Sequence, residues 1–123
     1  MPDAHIMVVD DEIAAGEALA RNLIELGWRI SLCTSGDEAW QLFSRDPADV
    51  VITDLHMPGG GEHLVEQLRD YDPLLPIIIV TGRMEAAAKL AESLADDRCA
   101  ILKKPAALTR LAELITEFLR PPT

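Results

Sequence analysis

The chain has 123 residues, the size of one domain, with 11 Lys+Arg against 21 Asp+Glu and a formal net charge of -10. So acidic a domain repels nucleic-acid phosphates, which argues against direct DNA or RNA binding. No stretch approaches the ~20 apolar residues needed to span a bilayer, and the first residues, Met1 to His5, lack the basic start of a signal peptide. With Cys33 and Cys99 the only cysteines and no CxxC spacing, free reduced thiols and a cytoplasmic location are expected.

Apolar runs alternate with helical patterns along the chain. The first run, Ile6 to Val9, ends at Asp10-Asp11. Leu19, Leu23 and Leu26 then recur at helical spacing, and Gly27 is a stop signal. Arg29 to Thr34 alternates through Ile30 and Leu32, as a half-exposed strand does. Ser35-Gly36-Asp37-Glu38 opens a second helix with Ala39, Leu42 and Phe43 on one face, ended by Asp46-Pro47.

The third run, Val50 to Thr53, leads to Asp54 and the loop His56-Met57-Pro58-Gly59-Gly60-Gly61. Leu64, Val65 and Leu68 mark a third helix, stopped by Asp72-Pro73. The fourth run, Ile77 to Val80, closes on Thr81-Gly82, and Ala87, Leu90, Ala91 and Leu94 give a fourth helix. The fifth run, Ala100 to Lys103, reaches Lys104-Pro105. Leu108, Leu111, Ile115 and Phe118 form the last helix.

Five strands alternating with five helices predict an α/β fold with a parallel sheet. Strands one, three and four are continuously apolar, as strands covered on both faces are. Strand two alternates and strand five is short and ends in lysine, so both belong at the edges. The order 2-1-3-4-5 puts them there, with the switch point between strands one and three. Asp10, Asp11 and Asp54 fall at that point, and Thr81 and Lys104 fall at neighbouring strand ends. Singly, each has an ordinary reading: Asp10-Asp11 as helix capping, Asp54 as a loop residue, Thr81 as a strand residue and Lys104 as a solvated charge. Together they offer oxygen ligands for a hard divalent cation, a carboxylate nucleophile towards phosphorus, and a cation to balance the transferring group.

On these residues the chain resembles the receiver domain of two-component response regulators. The resemblance runs from residue 5 to 119. It is carried by Val8-Val9-Asp10-Asp11-Glu12, by Asp54-Leu55-His56-Met57-Pro58-Gly59, by Thr81-Gly82 and by Lys104-Pro105. The spacings of 43, 27 and 23 residues between Asp11, Asp54, Thr81 and Lys104 are close to the family pattern.

The resemblance implies a flavodoxin-like, doubly wound sheet, with residues 1–123 forming a single receiver domain. Asp54 is then the phosphoacceptor, served by a histidine kinase or phosphotransfer protein. Mg²⁺, with Mn²⁺ an alternative, is held by Asp10, Asp11, Asp54 and the backbone carbonyl of His56. Thr81 is the switch hydroxyl, Lys104 pairs with the phosphoryl group, and the Lys104-Pro105 bond is cis. The changed surface serves an output domain or a homodimer through the helix 4–strand 5–helix 5 face. A Mg²⁺-dependent phosphohydrolase forming an aspartyl-phosphate is the alternative, but it commonly needs an acid where this chain has His56. A flavin carrier would need a Ser/Thr-rich loop in place of Asp10-Asp11-Glu12.

Four departures from the family stand out. Ile101 occupies a position that is usually aromatic. Gly59-Gly60-Gly61 suggests a loose loop beside Asp54. His56 reads as an exposed loop histidine, two residues from the phosphoacceptor, and His63 as solvated. Asp96-Asp97-Arg98 replaces a small turn before the fifth strand.

Overall fold

The computed structural model describes residues 4–57, 60–94 and 98–120. Five strands and five helices alternate: β1 (His5–Val9), α1 (Ile13–Glu25), β2 (Arg29–Cys33), α2 (Gly36–Arg45), β3 (Val50–Thr53), α3 (Gly61–Tyr71), β4 (Ile77–Thr81), α4 (Met84–Leu94), β5 (Cys99–Lys103) and α5 (Leu108–Leu119). All strand pairs are parallel and the order is β2-β1-β3-β4-β5.

Each residue of β1, β3 and β4 is buried, whereas β2 and β5 are mostly half-exposed. Two-residue periodicity sorts the inner strands onto two cores. Met7, Val9, Val51, Ile77 and Ile79 pack with Phe43, Leu64, Leu68 and Leu90 on the side of α2, α3 and α4. Ile6, Val8, Val50, Ile52, Ile78 and Val80 pack with Leu23, Leu111, Leu114 and Ile115 of α1 and α5. Each such side chain contributes about 1.5–3 kcal/mol through burial, so the fold rests on these two layers.

Local signals set the helix ends. Ser35 Oγ accepts the Glu38 N–H at 3.1 Å, and the Glu38 carboxylate accepts the Thr34 N–H at 3.1 Å, so orphan donors at the start of α2 are satisfied. Gly27 has φ of 105° just past α1, a left-handed stop that glycine adopts without strain. The capping reading of Asp10-Asp11 is corrected: Glu12 holds the cap position of α1 without a side-chain cap bond, and Asp10 Oδ1 accepts the Glu12 N–H at 2.9 Å.

Some helix faces differ from the sequence expectation. Leu26 is 52% exposed because the chain has already left α1 there. Leu19 and Leu42 are half-buried, and Leu114, missed in the sequence, is buried. Ala91 and Leu94 lie outside the described side chains, and Asp96-Asp97 lies outside the described residues. Cys33 is free and buried; burial pushes its thiol up to about 11, which keeps it protonated and unreactive.

A buried polar lock holds the opposite end of the sheet. The His5 ring has Nδ1 3.1 Å from the Pro47 carbonyl and Nε2 2.6 Å from Ser31 Oγ. A carbonyl can only accept, so Nδ1 carries the proton. The His5 N–H donates to Asp49 Oδ2 at 2.8 Å, and the Asp49 N–H returns to the His5 carbonyl at 2.7 Å. The lock joins β1, β2 and the α2–β3 loop, so the strand ends at the site extend from a fixed base. Among the described residues no helix is long and apolar enough to cross a membrane.

Candidate functional site

The carboxyl ends of β1, β3 and β5 bring Asp10, Asp54 and Lys104 into contact. Main-chain bonds set their height: the Asp10 N–H donates to the Cys33 carbonyl at 3.0 Å, the Asp54 N–H to the Val9 carbonyl at 3.2 Å, and the Lys104 N–H to the Thr81 carbonyl at 3.0 Å. Lys104 Nζ lies 2.8 Å from Asp54 Oδ2 and 3.3 Å from Asp10 Oδ2. Asp54 Oδ1 accepts the His56 N–H at 3.1 Å. The Lys104-Pro105 bond is cis, as the sequence led one to expect.

Burial works to raise the Asp54 pKa. The Lys104 hydrogen bond and charge, with the His56 and Leu55 N–H groups, outweigh it and hold the carboxyl below its ordinary value. Burial likewise works to lower the Lys104 pKa, and the Asp54 and Asp10 carboxylates outweigh it upward. Asp54 is therefore ionised near neutral pH.

Asp11 is exposed at the rim. One oxygen each from Asp10, Asp11 and Asp54 lies within 4.8 Å of the other two. That grouping places three carboxylate oxygens around one small space, where they would hold a divalent cation between them. An all-oxygen, thiol-free donor set suits a hard cation. Lys104 tempers the mutual repulsion expected of three bare carboxylates, because its ammonium already lies against two of them.

Thr81 stands apart from this group. It is fully buried at the end of β4, and its Oγ1 accepts the Arg83 N–H at 3.0 Å. Among the described residues no hydrogen bond joins it to a carboxylate. The sequence placed Thr81 at the correct sheet edge but carried no sign of Arg83, whose N–H holds its hydroxyl. His56 and His63 are exposed. Ile101 is half-buried and packs on the α2–α3–α4 core, as does Ala86.

The glycine loop differs from the loose segment expected. Gly60 has φ of 81°, and its N–H donates to the Met57 carbonyl at 3.0 Å. A Cβ on Gly61 would meet the Asp54 carbonyl oxygen and lie 2.5 Å from Leu55 Cα. The Gly61 N–H also donates to the Leu55 carbonyl at 3.2 Å. These two glycines clamp the first turn of α3 onto the main chain of Asp54. Gly59 lies outside the described residues.

A doubly wound parallel sheet with clustered carboxylates and a lysine at its switch point defines a class of α/β domain built to meet cations and phosphoryl groups. The model of the response regulator receiver domain matches residues 6–116, and the chain belongs to that family. Response regulator MprA of Mycobacterium leprae (strain TN) is 36% identical over 118 residues, covering 94% of this chain and 50% of the relative. The chain thus spans about half the length of the curated relatives it matches.

Among solved structures, response regulator TrrA of Thermotoga maritima, in complex with Mg(2+)-BeF, is 30% identical with a TM-score of 0.83, covering 94% of this chain and 99% of that one. The non-phosphorylated HemR receiver domain of Leptospira biflexa is 25% identical with a TM-score of 0.82, covering 98% of each chain. This chain is a receiver domain of two-component signalling, and nothing in its fold or family favours the phosphohydrolase alternative.

Proposed function

We propose that the domain is a phosphorylation switch with Asp54 as phosphoacceptor. The observation that carries the reading is the ionised Asp54 carboxylate under the Lys104 ammonium at 2.8 Å, with Asp10 and Asp11 beside it. Asp54 attacks the phosphorus of a phosphohistidine on a histidine kinase or phosphotransfer protein. An O–P bond forms, the N–P bond breaks, and the departing imidazole takes up a proton. Lys104 Nζ follows the negative charge onto the phosphoryl oxygens.

Asp10, Asp11, Asp54 and the His56 carbonyl would hold Mg²⁺ (or Mn²⁺), which supplies further positive charge at the phosphoryl oxygens. The domain promotes its own phosphotransfer and a slow hydrolysis of the product. It acts as a single unit over residues 1–123, in the cytoplasm, without touching nucleic acid itself. Its output passes to a further domain or to a homodimer through the α4–β5–α5 face.

Incubation with Mg²⁺ and a small-molecule phosphodonor should add one base-labile phosphoryl group, read by intact mass. No incorporation by a folded, Mg²⁺-responsive chain would overturn the reading.

The metal has its own test. A ligand that binds only the native state stabilises it by about 2.7 kcal/mol at a hundred times its dissociation constant. For a domain of this size that is roughly 8 °C in Tm. Mg²⁺ should raise the Tm on this scale, and Asp11→Asn should reduce the rise. An equal rise in both proteins would remove Asp11 from the site.

The switch depends on Thr81. Turning its hydroxyl towards a phosphoryl oxygen leaves the Arg83 N–H unpaired, one residue before α4 begins. Amide hydrogen exchange with and without beryllofluoride should therefore change over residues 82–94, with Ile101 altered little. Thr81→Ala should blunt the change; a full response in that variant, or one confined to β5, would contradict it.

A further inference from the structure

The α2–α3 pair carries a feature that the phosphoacceptor does not need. The chain has only five aromatic residues, and three of them meet on this face. Trp40 stacks on Phe43 at 6.2 Å, and Tyr71 meets Trp40 edge-on at 6.1 Å and Phe43 at 5.5 Å. Phe43 is the buried floor, Trp40 is half-buried, and Tyr71 is 59% exposed. Core packing accounts for Phe43. It does not account for a tyrosine left open to water, with no hydrogen-bond partner for its hydroxyl among the described residues.

Trp40, Tyr71, Gln67 and Asp70 line an open depression of about 370 Å³. The two helices that form it are acidic on their exposed sides: Asp37, Glu38, Glu62, Glu66 and Asp70 are exposed, and Asp70 lines the depression itself. Arg45 is the only exposed guanidinium on them. Arg69 is turned away, donating to the carbonyls of Asp72, Pro73 and Leu75.

We propose that this depression is a docking site for an arginine side chain on a basic, extended segment of a partner protein. The guanidinium plane stacks on one of the Trp40 and Tyr71 rings, which stand nearly perpendicular to each other, its fork reaches the Asp70 carboxylate, and the Gln67 amide oxygen accepts a remaining N–H. Arginine fits better than lysine because its group is planar, weakly hydrated and able to stack and pair at once. Tryptophan and tyrosine are also typical anchors of protein interfaces, as is the arginine they would receive. The proposal does not rest on the phosphoacceptor reading.

The test is an NMR titration of the full chain with a capped glycine-spaced arginine peptide and with its lysine twin. The Trp40 indole, the Gln67 amide group and the Tyr71 ring should shift and saturate with the arginine peptide. The lysine peptide should bind about fivefold more weakly. Tyr71→Ala and Asp70→Asn replace exposed side chains and should each weaken the arginine peptide about fivefold. Asp54→Asn should bind it as the parent does, which separates this site from phosphorylation. Absence of saturable shifts, equal binding of both peptides, or shifts spread over α1 and α5 as well would each overturn the proposal.

Discussion

Asp54→Asn should take up no phosphoryl group under conditions in which the parent chain takes up one. The amide oxygen is a poor nucleophile, and no acid dissociation can improve it. In the parent, Lys104 at 2.8 Å and the His56 N–H at 3.1 Å keep the carboxylate ionised. The fall in labelling should exceed about 100-fold, the scale on which loss of a nucleophile acts. Asp10 and Asp11 are close enough to the same space that peptide mapping must accompany intact mass. Parent-like labelling of the variant at either residue would reassign the acceptor.

Gly61→Ala should be the most damaging added methyl among the described glycines. The added Cβ meets backbone atoms of Asp54 and Leu55, and backbone cannot rotate aside as a side-chain tip can. Either α3 lifts off the sheet or the β3–α3 loop moves, and the cost is about 3 kcal/mol, at the upper end for overpacking. Because the obstructed atoms belong to Asp54, the proposed acceptor, and its neighbour, phosphoryl uptake should fall in the fraction that remains folded. Thermal unfolding and the rate of mass gain check the two effects. A comparison supplies the control: Gly82→Ala, where nothing lies within 4 Å of the added Cβ, should leave Tm within about 1 °C. A parent-like Tm for Gly61→Ala would mean that the loop is as loose as the glycine run first suggested.

The sheet order was legible because burial leaves a mark on composition. Covered strands are apolar throughout and edge strands are not, and β2 and β5 kept that signature. Asp10, Asp11, Asp54 and Lys104 were legible because strand ends on one edge must converge. What stayed hidden depends on side-chain direction and on distances between elements, which spacing does not encode. Thr81 lies at the expected strand end, yet its hydroxyl serves the Arg83 N–H two residues on. His5 looked like part of an unremarkable start and proves to tie three segments together. Gly60 and Gly61 read as freedom, whereas one supplies a positive φ and the other a close approach. The Trp40–Phe43–Tyr71 group joins residues from two helices, and no local pattern announces such a meeting.

The ammonium shared by Asp10 and Asp54 bears on which ions can enter. A pocket of three aspartates with a lysine inside carries a formal net charge of about -2. A monovalent cation that displaced Lys104 would replace one positive charge by another and gain little. A divalent cation overcompensates the charge it displaces and frees the lysine for a new anionic partner. Charge counting alone thus discriminates against the abundant Na⁺ and K⁺, before size or coordination geometry is considered. The lysine is a resident counter-ion of Asp10 and Asp54, and in the proposed switch its release would couple the arrival of the metal to the arrival of the phosphoryl group.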